Sequence, residues 1–159
     1  MLYFLSLGLI IVLTVILTLV AQILVSMARY KYKIEAPKTV GDDNFERSFR
    51  AHQNQLEANN IFLPLVYVQF PLGIVLILSN IFSFREGGLM ANLILILILL
   101  PNLLWLIGRS LYVYAYNTNK PKVRFVGGIL AGLASVLLLL FVIGIGGFLT
   151  WSYLFEGPR

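Results

Sequence analysis

The polar side chains best suited to binding a small molecule lie in the segment FERSFRAHQNQLE, which runs from Phe45 to Glu57. A helix advances about 100° per residue, so this segment gathers polar residues on one face. They are Arg47, Arg50, Asn54 and Glu57. Guanidinium groups bind carboxylates, and a carboxylate beside an amide binds an amine or amide group. The face therefore predicts a small ligand that carries both negative and positive charge.

A second polar face lies at the end of a later apolar stretch. Arg109, Tyr112 and Tyr116 are spaced i, i+3 and i+7, which places them on one side of a helix. His52 belongs to the first segment but lies about 160° around the helix from Arg50, so it faces a different site. The two polar faces predict one site if the topology brings them to the same depth.

These residues also have structural interpretations. Basic residues that flank apolar stretches, such as Arg29 and Lys31, commonly anchor a helix at the lipid headgroups. Tyrosines such as Tyr112 are enriched at membrane interfaces, and an Arg50–Glu57 ion pair needs no ligand. The presence of two polar faces on two helices favours a ligand site over these interpretations.

The elements that must position these residues are long uncharged stretches, each reaching or exceeding the roughly 20 residues that cross a bilayer. They run from Leu2 to Ala28, Ala58 to Phe84, Gly87 to Gly108 and Phe125 to Phe155. The first has no charged leader and no cleavage site, which predicts a retained helix. The second helix is predicted to begin before its apolar part, capped by Asp43 or Asn44. The predicted helices cover about residues 2–28, 45–80, 87–117 and 125–155.

Short connections between these helices predict an all-α membrane protein with an up-down bundle of four transmembrane helices. The predicted loops are Arg29 to Asn44, Ser79 to Gly88 and Asn117 to Arg124. Because the first and third loops are basic, the positive-inside rule places both in the cytoplasm.

Composition agrees with a membrane protein. The chain has 159 residues, of which 59% are hydrophobic and 12% charged, and its mean hydropathy is +0.88. That is too little charge for a soluble surface, and the length suits one transmembrane domain over residues 1–159. The net charge of +5 comes from residues beside apolar spans, so it indicates a lipid bilayer and not nucleic acid. With no cysteine, the chain supplies no thiol nucleophile and no thiolate metal site, and no metal is predicted.

The predicted topology brings polar residues from all four helices to one plane at the cytoplasmic end. These residues are Arg29, Arg50, Asn54, Glu57, Arg109, Tyr112, Tyr116 and Arg124.

Two sequence blocks resemble a known family. FERSFRAHQNQLE ahead of an apolar span, and GRSLYVYAYNTNKPKVR from Gly108 to Arg124, are similar to signatures of the MAPEG family, the membrane-associated proteins in eicosanoid and glutathione metabolism. The four-span layout agrees. The second block most resembles the branch of microsomal glutathione transferases and leukotriene-C synthase.

The resemblance implies a homotrimer that binds glutathione as a co-substrate between neighbouring subunits, near the cytoplasmic face. It implies that glutathione is bound by Arg50, Asn54, Glu57, Arg109, Tyr112 and Tyr116, with Arg29 and His52 reaching it from the adjacent protomer. Arg124 matches the catalytic arginine thought to hold the thiol as thiolate. Loop three varies in length among the branches, so Lys122 is the alternative for that role.

The sequence departs from the family directly after Glu57. The family has an aromatic residue or leucine followed by proline, whereas Ala58, Asn59 and Asn60 stand here and proline is delayed to Pro64. This departure puts in doubt one stacking contact near glutathione and the local shape of the helix.

The resemblance implies glutathione transfer to a hydrophobic electrophile, or reduction of a lipid hydroperoxide, in a bacterial inner membrane or the endoplasmic reticulum. The alternative is a non-catalytic lipid-binding scaffold, resembling the branch of five-lipoxygenase-activating protein. A small channel or transporter is a third interpretation, disfavoured because no acidic residue lies within the spans.

Overall fold

The chain folds into long helices with short connections. The computed structural model describes residues 2–78 and 89–156, and their helices are α1 (Leu2–Tyr32), α2 (Asp43–Leu78), α3 (Leu89–Asn117) and α4 (Pro121–Glu156). Within the described residues all four helices are long and apolar enough to cross a membrane, and no strand is present. The predicted all-α class is therefore confirmed. The predicted second loop, Ser79 to Gly88, lies outside the described residues.

Helix α1 continues one turn beyond the predicted end at Ala28. Lys33 takes a left-handed conformation (φ 54°), and the Ile34 N–H donates to the Arg29 carbonyl (3.0 Å). This is the Schellman pattern that closes many helices. The last turn therefore carries Arg29 and Lys31, where positive charge suits the negative end of the helix dipole.

Helix α2 is capped by Asp42, so the predicted cap at Asp43 or Asn44 is wrong by one or two residues. Asp42 Oδ1 accepts the Asn44 N–H (2.8 Å), and the Asp42 carbonyl accepts the Glu46 N–H (2.9 Å). The Glu46 carboxylate in turn accepts the N–H of Gly41 (2.9 Å). These bonds satisfy donors that a helix start leaves free, and they extend α2 to Asp43.

The corner between α3 and α4 is shorter than the predicted loop from Asn117 to Arg124. Asn119 is left-handed (φ 52°), and the Lys120 N–H donates to the Ala115 carbonyl (2.9 Å). Pro121 then occupies the first position of α4, where its missing N–H costs nothing. Arg124 thus lies on the first turn of α4, and its N–H donates to the Lys120 carbonyl (3.0 Å).

Contacts between helices show the up-down arrangement that the short loops predict. The Tyr3 hydroxyl, at the start of α1, donates to the Gln69 carbonyl late in α2 (2.7 Å). Ser48, near the start of α2, donates from its hydroxyl to Asn117 Oδ1 at the end of α3 (2.7 Å). Neighbouring helices are therefore antiparallel. The ends of α1 and α3 and the starts of α2 and α4 form one end of the bundle, called the basic end below.

The core below the basic end fixes how α2, α3 and α4 meet. The rings of Phe62 and Trp105 stack with centroids 3.7 Å apart, which joins α2 to α3. On the other side of α3, a Cβ added to Gly108 would lie 2.7 Å from the Ala131 nitrogen, and one on Gly127 would lie 2.6 Å from the Gly108 carbonyl oxygen. Gly127 and Gly108 therefore allow α3 and α4 to pack closely against each other.

The other glycines of α4 do not share this use. A Cβ on Gly128 would rest against the Tyr112 ring at 3.5 Å. A Cβ on Gly132, Gly144, Gly146 or Gly147 would meet nothing within 4 Å. Those positions lie on faces of α4 that no described helix covers.

Candidate functional site

Arg109 is the most deeply placed charged residue of the candidate site. It is 6% exposed, and its guanidinium carbon lies 4.4 Å from the centroid of the Tyr112 ring one turn further along α3. Its Nε donates to Gln55 Oε1 on α2 (2.9 Å). Its buried Nη2 has no hydrogen-bond partner among the described residues. Arg109 therefore keeps one buried donor group that no described residue satisfies.

Asn54 joins the two polar faces predicted from the sequence. Its Nδ2 lies 3.2 Å from the Tyr112 hydroxyl and 3.3 Å from the Tyr116 hydroxyl. The two tyrosine rings are 5.1 Å apart, since they are one turn apart on α3. The face of α2 that carries Asn54 thus meets the face of α3 that carries both tyrosines.

Arg124 completes the arrangement from α4. Its guanidinium carbon lies 4.6 Å from the centroid of the Tyr116 ring, and its side chain is half-buried. Lys122, the alternative for the same role, is exposed. The structure therefore brings together residues from three helices, called the Asn54 cluster below. Its members are Asn54, Arg109, Tyr112, Tyr116 and Arg124.

Arg50 and Glu57 flank Asn54 on α2. Both side chains are exposed, and the Glu57 carboxylate interacts electrostatically with Arg109. Both residues share the helical face of Asn54, so they lie at the exposed edge of the Asn54 cluster and take no part in its hydrogen bonds. A bound molecule that spans the cluster meets positive charge and a carboxylate along one line.

Arg29 and His52 lie apart from the Asn54 cluster within one chain. Arg29 Nη1 donates to the carbonyls of Lys38 (2.8 Å) and Ile34 (3.5 Å), and its guanidinium carbon lies 4.8 Å from the Phe45 ring centroid. It therefore holds the connection between α1 and α2 in place. His52 is half-buried on another face of α2. Contact of either residue with glutathione bound to an adjacent protomer stays a prediction.

Gln55 is a site residue that the sequence reasoning missed. Its side chain is 0% exposed, and its amide oxygen is the acceptor for Arg109. It falls outside the polar face used for prediction because it is one residue beyond Asn54, about 100° around the helix. The available signal was its spacing of four residues from Asn59, which places two amides on one side of α2.

An apolar groove leads away from the cluster along α4. It has a volume of about 480 Å³ and is lined by Arg109 at its polar end and by residues such as Trp105, Gly132 and Leu139. An open recess of about 540 Å³ adjoins it beside Tyr112 and Arg124. Both cavities are lined by Gly128. A polar molecule in the recess and an apolar one in the groove would thus be neighbours.

The charge distribution suits an anion in the recess. The Arg124 guanidinium borders the recess and the Arg109 guanidinium borders the adjoining groove, and Glu57 is the nearby carboxylate that interacts with Arg109. Positive charge beside a thiol, carboxyl or similar acid favours its ionised form. The arrangement can therefore bind a polar anion and hold it against an apolar molecule.

Four apolar helices make this chain an integral multi-pass membrane protein with a cluster of polar side chains at one end of its bundle. Residues 7–144 match the MAPEG family, and the chain belongs to that family. The resemblance seen in the two sequence blocks is therefore confirmed.

Two relatives extend over most of the chain. An uncharacterized protein of Synechocystis sp. is 33% identical over 132 residues, covering 83% of this chain and 81% of the relative. Microsomal glutathione S-transferase 2 of Homo sapiens is 30% identical over 131 residues, covering 82% of this chain and 75% of that protein. The human relative is consistent with the branch of the family that the sequence indicates.

Proposed function

We propose that this protein is a membrane-bound glutathione transferase in which Arg124 stabilises the glutathione thiolate. The observation that carries the proposal is the meeting of the Asn54 cluster with the apolar groove at Gly128. A polar co-substrate and a lipophilic one need adjoining sites, and the recess offers the Tyr112 and Arg124 side chains beside a groove with mostly apolar walls. The similarity to a microsomal glutathione S-transferase supports the same chemistry.

Glutathione matches the charges around the cluster. Its two carboxylates suit the guanidinium groups of Arg50 and Arg109, and its amino group suits Glu57. Asn54 and the hydroxyls of Tyr112 and Tyr116 offer hydrogen bonds to the peptide groups. These contacts orient the tripeptide, so a bimolecular attack becomes a positioned one.

Arg124 supplies the chemical activation in this proposal. A free thiol of this kind has a pKa near ~8.5, so little of it is ionised at neutral pH. A guanidinium beside the sulfur lowers the thiol pKa, commonly by roughly 1–3 units, and the proton leaves to water. The thiolate then attacks the electrophilic carbon, a C–S bond forms, and the leaving group departs with its bonding electrons.

The groove supplies the second substrate. Its apolar walls are formed by residues that lie within the membrane-spanning parts of α2, α3 and α4. A hydrophobic electrophile can therefore enter the groove from the lipid. A lipid hydroperoxide is the other substrate class that fits. The thiolate then attacks the O–O bond and releases an alcohol, and a second glutathione displaces water from the sulfenic intermediate to form the disulfide.

The assembled enzyme in this proposal is a homotrimer with its sites at the cytoplasmic face. Arg29 and His52 then approach glutathione from the adjacent protomer, since neither reaches the cluster within one chain. The basic residues at the C-terminal end of α1 and at the start of α4 support the cytoplasmic placement of the basic end.

The experiment that tests this proposal replaces Arg124 with alanine and measures conjugation of an aromatic halide. We expect kcat to fall at least about tenfold while glutathione binding is largely retained, because each pKa unit of lost stabilisation changes the thiolate fraction about tenfold. Lys122→Ala is the matched control, and we expect it to leave kcat close to that of the wild type. Full activity of Arg124→Ala, with loss in Lys122→Ala, would transfer the thiol role to Lys122.

A non-catalytic lipid-binding scaffold would use the same groove, so glutathione binding separates the two functions. Calorimetric titration of the detergent-solubilised protein with glutathione is expected to show saturable binding. Binding of a fatty acid without any binding of glutathione would favour the scaffold.

A further inference from the structure

A chain of side-chain hydrogen bonds runs from helix α1 to Arg109. Arg109 Nε donates to Gln55 Oε1, and Gln55 Nε2 donates to Asn59 Oδ1, each over 2.9 Å. Asn59 Nδ2 then donates to Thr18 Oγ1 (2.9 Å), and the Thr18 hydroxyl donates to the Thr14 carbonyl (2.8 Å). This hydrogen-bond chain therefore links α1, α2 and α3 near the Asn54 cluster.

The direction of every bond in this chain follows from Arg109. A guanidinium only donates, so Gln55 must present its oxygen to Arg109 and its NH₂ group to Asn59. Asn59 must then turn its own oxygen to Gln55 and its NH₂ group to Thr18. Each amide accepts one hydrogen bond and donates one, so every bond in the series pairs a donor with an acceptor. Such a chain fixes one arrangement of Gln55 within the helix bundle.

The hydrogen-bond chain uses Nε of the Arg109 guanidinium and leaves the buried Nη2 without a partner among the described residues. Gln55 is 0% exposed and binds Nε, whereas the buried Nη2 has no partner among the described residues and Arg109 lines the groove. Without Gln55, the guanidinium would be free to rotate and to satisfy Nη2 elsewhere. Gln55 therefore decides which donor Arg109 presents to a bound molecule.

We propose that Gln55, Asn59 and Thr18 are positioning residues that fix the orientation in which the Arg109 guanidinium meets a carboxylate of glutathione. This proposal rests on the glutathione site described above. It also explains the departure from the family pattern after Glu57, because Asn59 makes the hydrogen bond that links α2 to α1. A residue of α1 that touches no ligand thereby affects ligand affinity.

The first test replaces Gln55 with leucine and measures the Kd of glutathione by calorimetry on the detergent-solubilised protein. We expect Kd to rise roughly tenfold, since hydrogen bonds to charged groups are among the strongest in proteins. With glutathione saturating, kcat for an aromatic halide is expected to change much less. Gln55→Glu restores an acceptor for Arg109, so its Kd is expected within about threefold of the wild type. A merely structural role would lower the fraction of protein that binds and leave Kd unchanged.

The second test acts from α1. Thr18→Val removes the hydroxyl that accepts from Asn59, and we expect the Kd of glutathione to rise about threefold. Thr14→Val is the matched control one turn away, because among the described residues the Thr14 hydroxyl bonds only to the Ile10 carbonyl of its own helix. The effect of Thr18→Val is expected to disappear in a Gln55→Leu background, since the chain is already broken there.

The outcomes separate this proposal from the proposed function. If the wild type binds no glutathione, the function itself is wrong and the positioning role falls with it. If the wild type binds glutathione and Gln55→Leu binds it equally well, the positioning role is wrong while the function stands. If Gln55→Leu does not fold, Thr18→Val against Thr14→Val decides, and equal Kd values for those two variants overturn the proposal.

Discussion

At the scale of single residues, Tyr116 is the side chain through which the three helices of the site meet. Its hydroxyl lies 3.3 Å from Asn54 Nδ2 of α2, and its ring lies under the guanidinium of Arg124 from α4. The hydroxyl and the ring therefore have separable functions. The hydroxyl helps to fix Asn54, and the ring supports the Arg124 guanidinium, which acts on the thiol in the proposed function.

Removing only the hydroxyl tests this division. Tyr116→Phe keeps the ring beneath Arg124, so we expect the Kd of glutathione to rise about threefold while kcat stays near the wild-type value. Tyr116→Leu also removes the ring, and we expect kcat to fall as well. Tyr114→Phe is the control, because Tyr114 is exposed and its hydroxyl accepts from Lys120. An equal loss in Tyr114→Phe and Tyr116→Phe would contradict the assignment.

Helical phase explains which site residues could be predicted. Asn54, Tyr112 and Tyr116 were predictable because one spacing rule fixes the face on which each lies. Gln55 was not, because its importance depends on which helix covers the neighbouring face of α2. That information lies in the packing of α3 against α2, which no single helix encodes.

At the scale of elements, α4 has two glycine faces with different uses. Gly127 faces α3, where an added Cβ would lie 2.6 Å from the Gly108 carbonyl oxygen and 2.8 Å from the Tyr112 nitrogen. Gly132 lines the apolar groove, and a Cβ there would meet nothing within 4 Å. The first face sets the distance between α3 and α4, and the second leaves the groove open.

Leucine substitutions distinguish these two faces. We expect Gly127→Leu to lower the thermal stability of the detergent-solubilised protein, since overpacking typically costs about 1–3 kcal/mol or more and backbone atoms cannot move aside. We expect Gly132→Leu to leave the melting temperature nearly unchanged and to raise KM for a bulky lipophilic electrophile, with the Kd of glutathione unaffected. Thermal unfolding and steady-state kinetics measure both effects.

Gly144→Leu is the control for each substitution, because a Cβ at Gly144 also meets open space and Gly144 lies outside the groove. Equal thermal stability of the Gly127 and Gly144 variants would contradict the close contact of α3 and α4. An unchanged KM for the electrophile in Gly132→Leu would remove the groove from the proposed reaction.

The lengths of the helices were predictable from their apolar runs, but their basic ends were not. Lys33 and Asn119 end α1 and α3 in left-handed conformations, although only asparagine favours that conformation by its type. Residue type does not distinguish Asp42 from Asp43 or Asn44 as the cap of α2, because aspartate and asparagine are equally suitable there. The exact turn was decided by hydrogen bonds that the residue types alone leave open.

At the scale of the whole molecule, antiparallel packing gathers the polar ends of α2, α3 and α4 at one level. The sequence predicts that polar residues of different helices converge only if neighbouring helices are antiparallel. The contacts of Ser48 with Asn117 and of Asn54 with two tyrosines show this arrangement for α2 and α3. The groove then runs from that level along apolar side chains. The fold therefore places the Asn54 cluster beside an apolar groove, as the proposed function requires.

The central claim is that Arg124 holds bound glutathione as a thiolate, and proton release on binding tests it most directly. Calorimetric titration of the wild type near neutral pH, in buffers with different ionisation enthalpies, counts the protons released for each glutathione bound. We expect the wild type to release most of one proton, because the thiol pKa falls on binding, and we expect Arg124→Ala to bind glutathione with almost no release. Binding without proton release by the wild type, or undiminished release by Arg124→Ala, would contradict the claim.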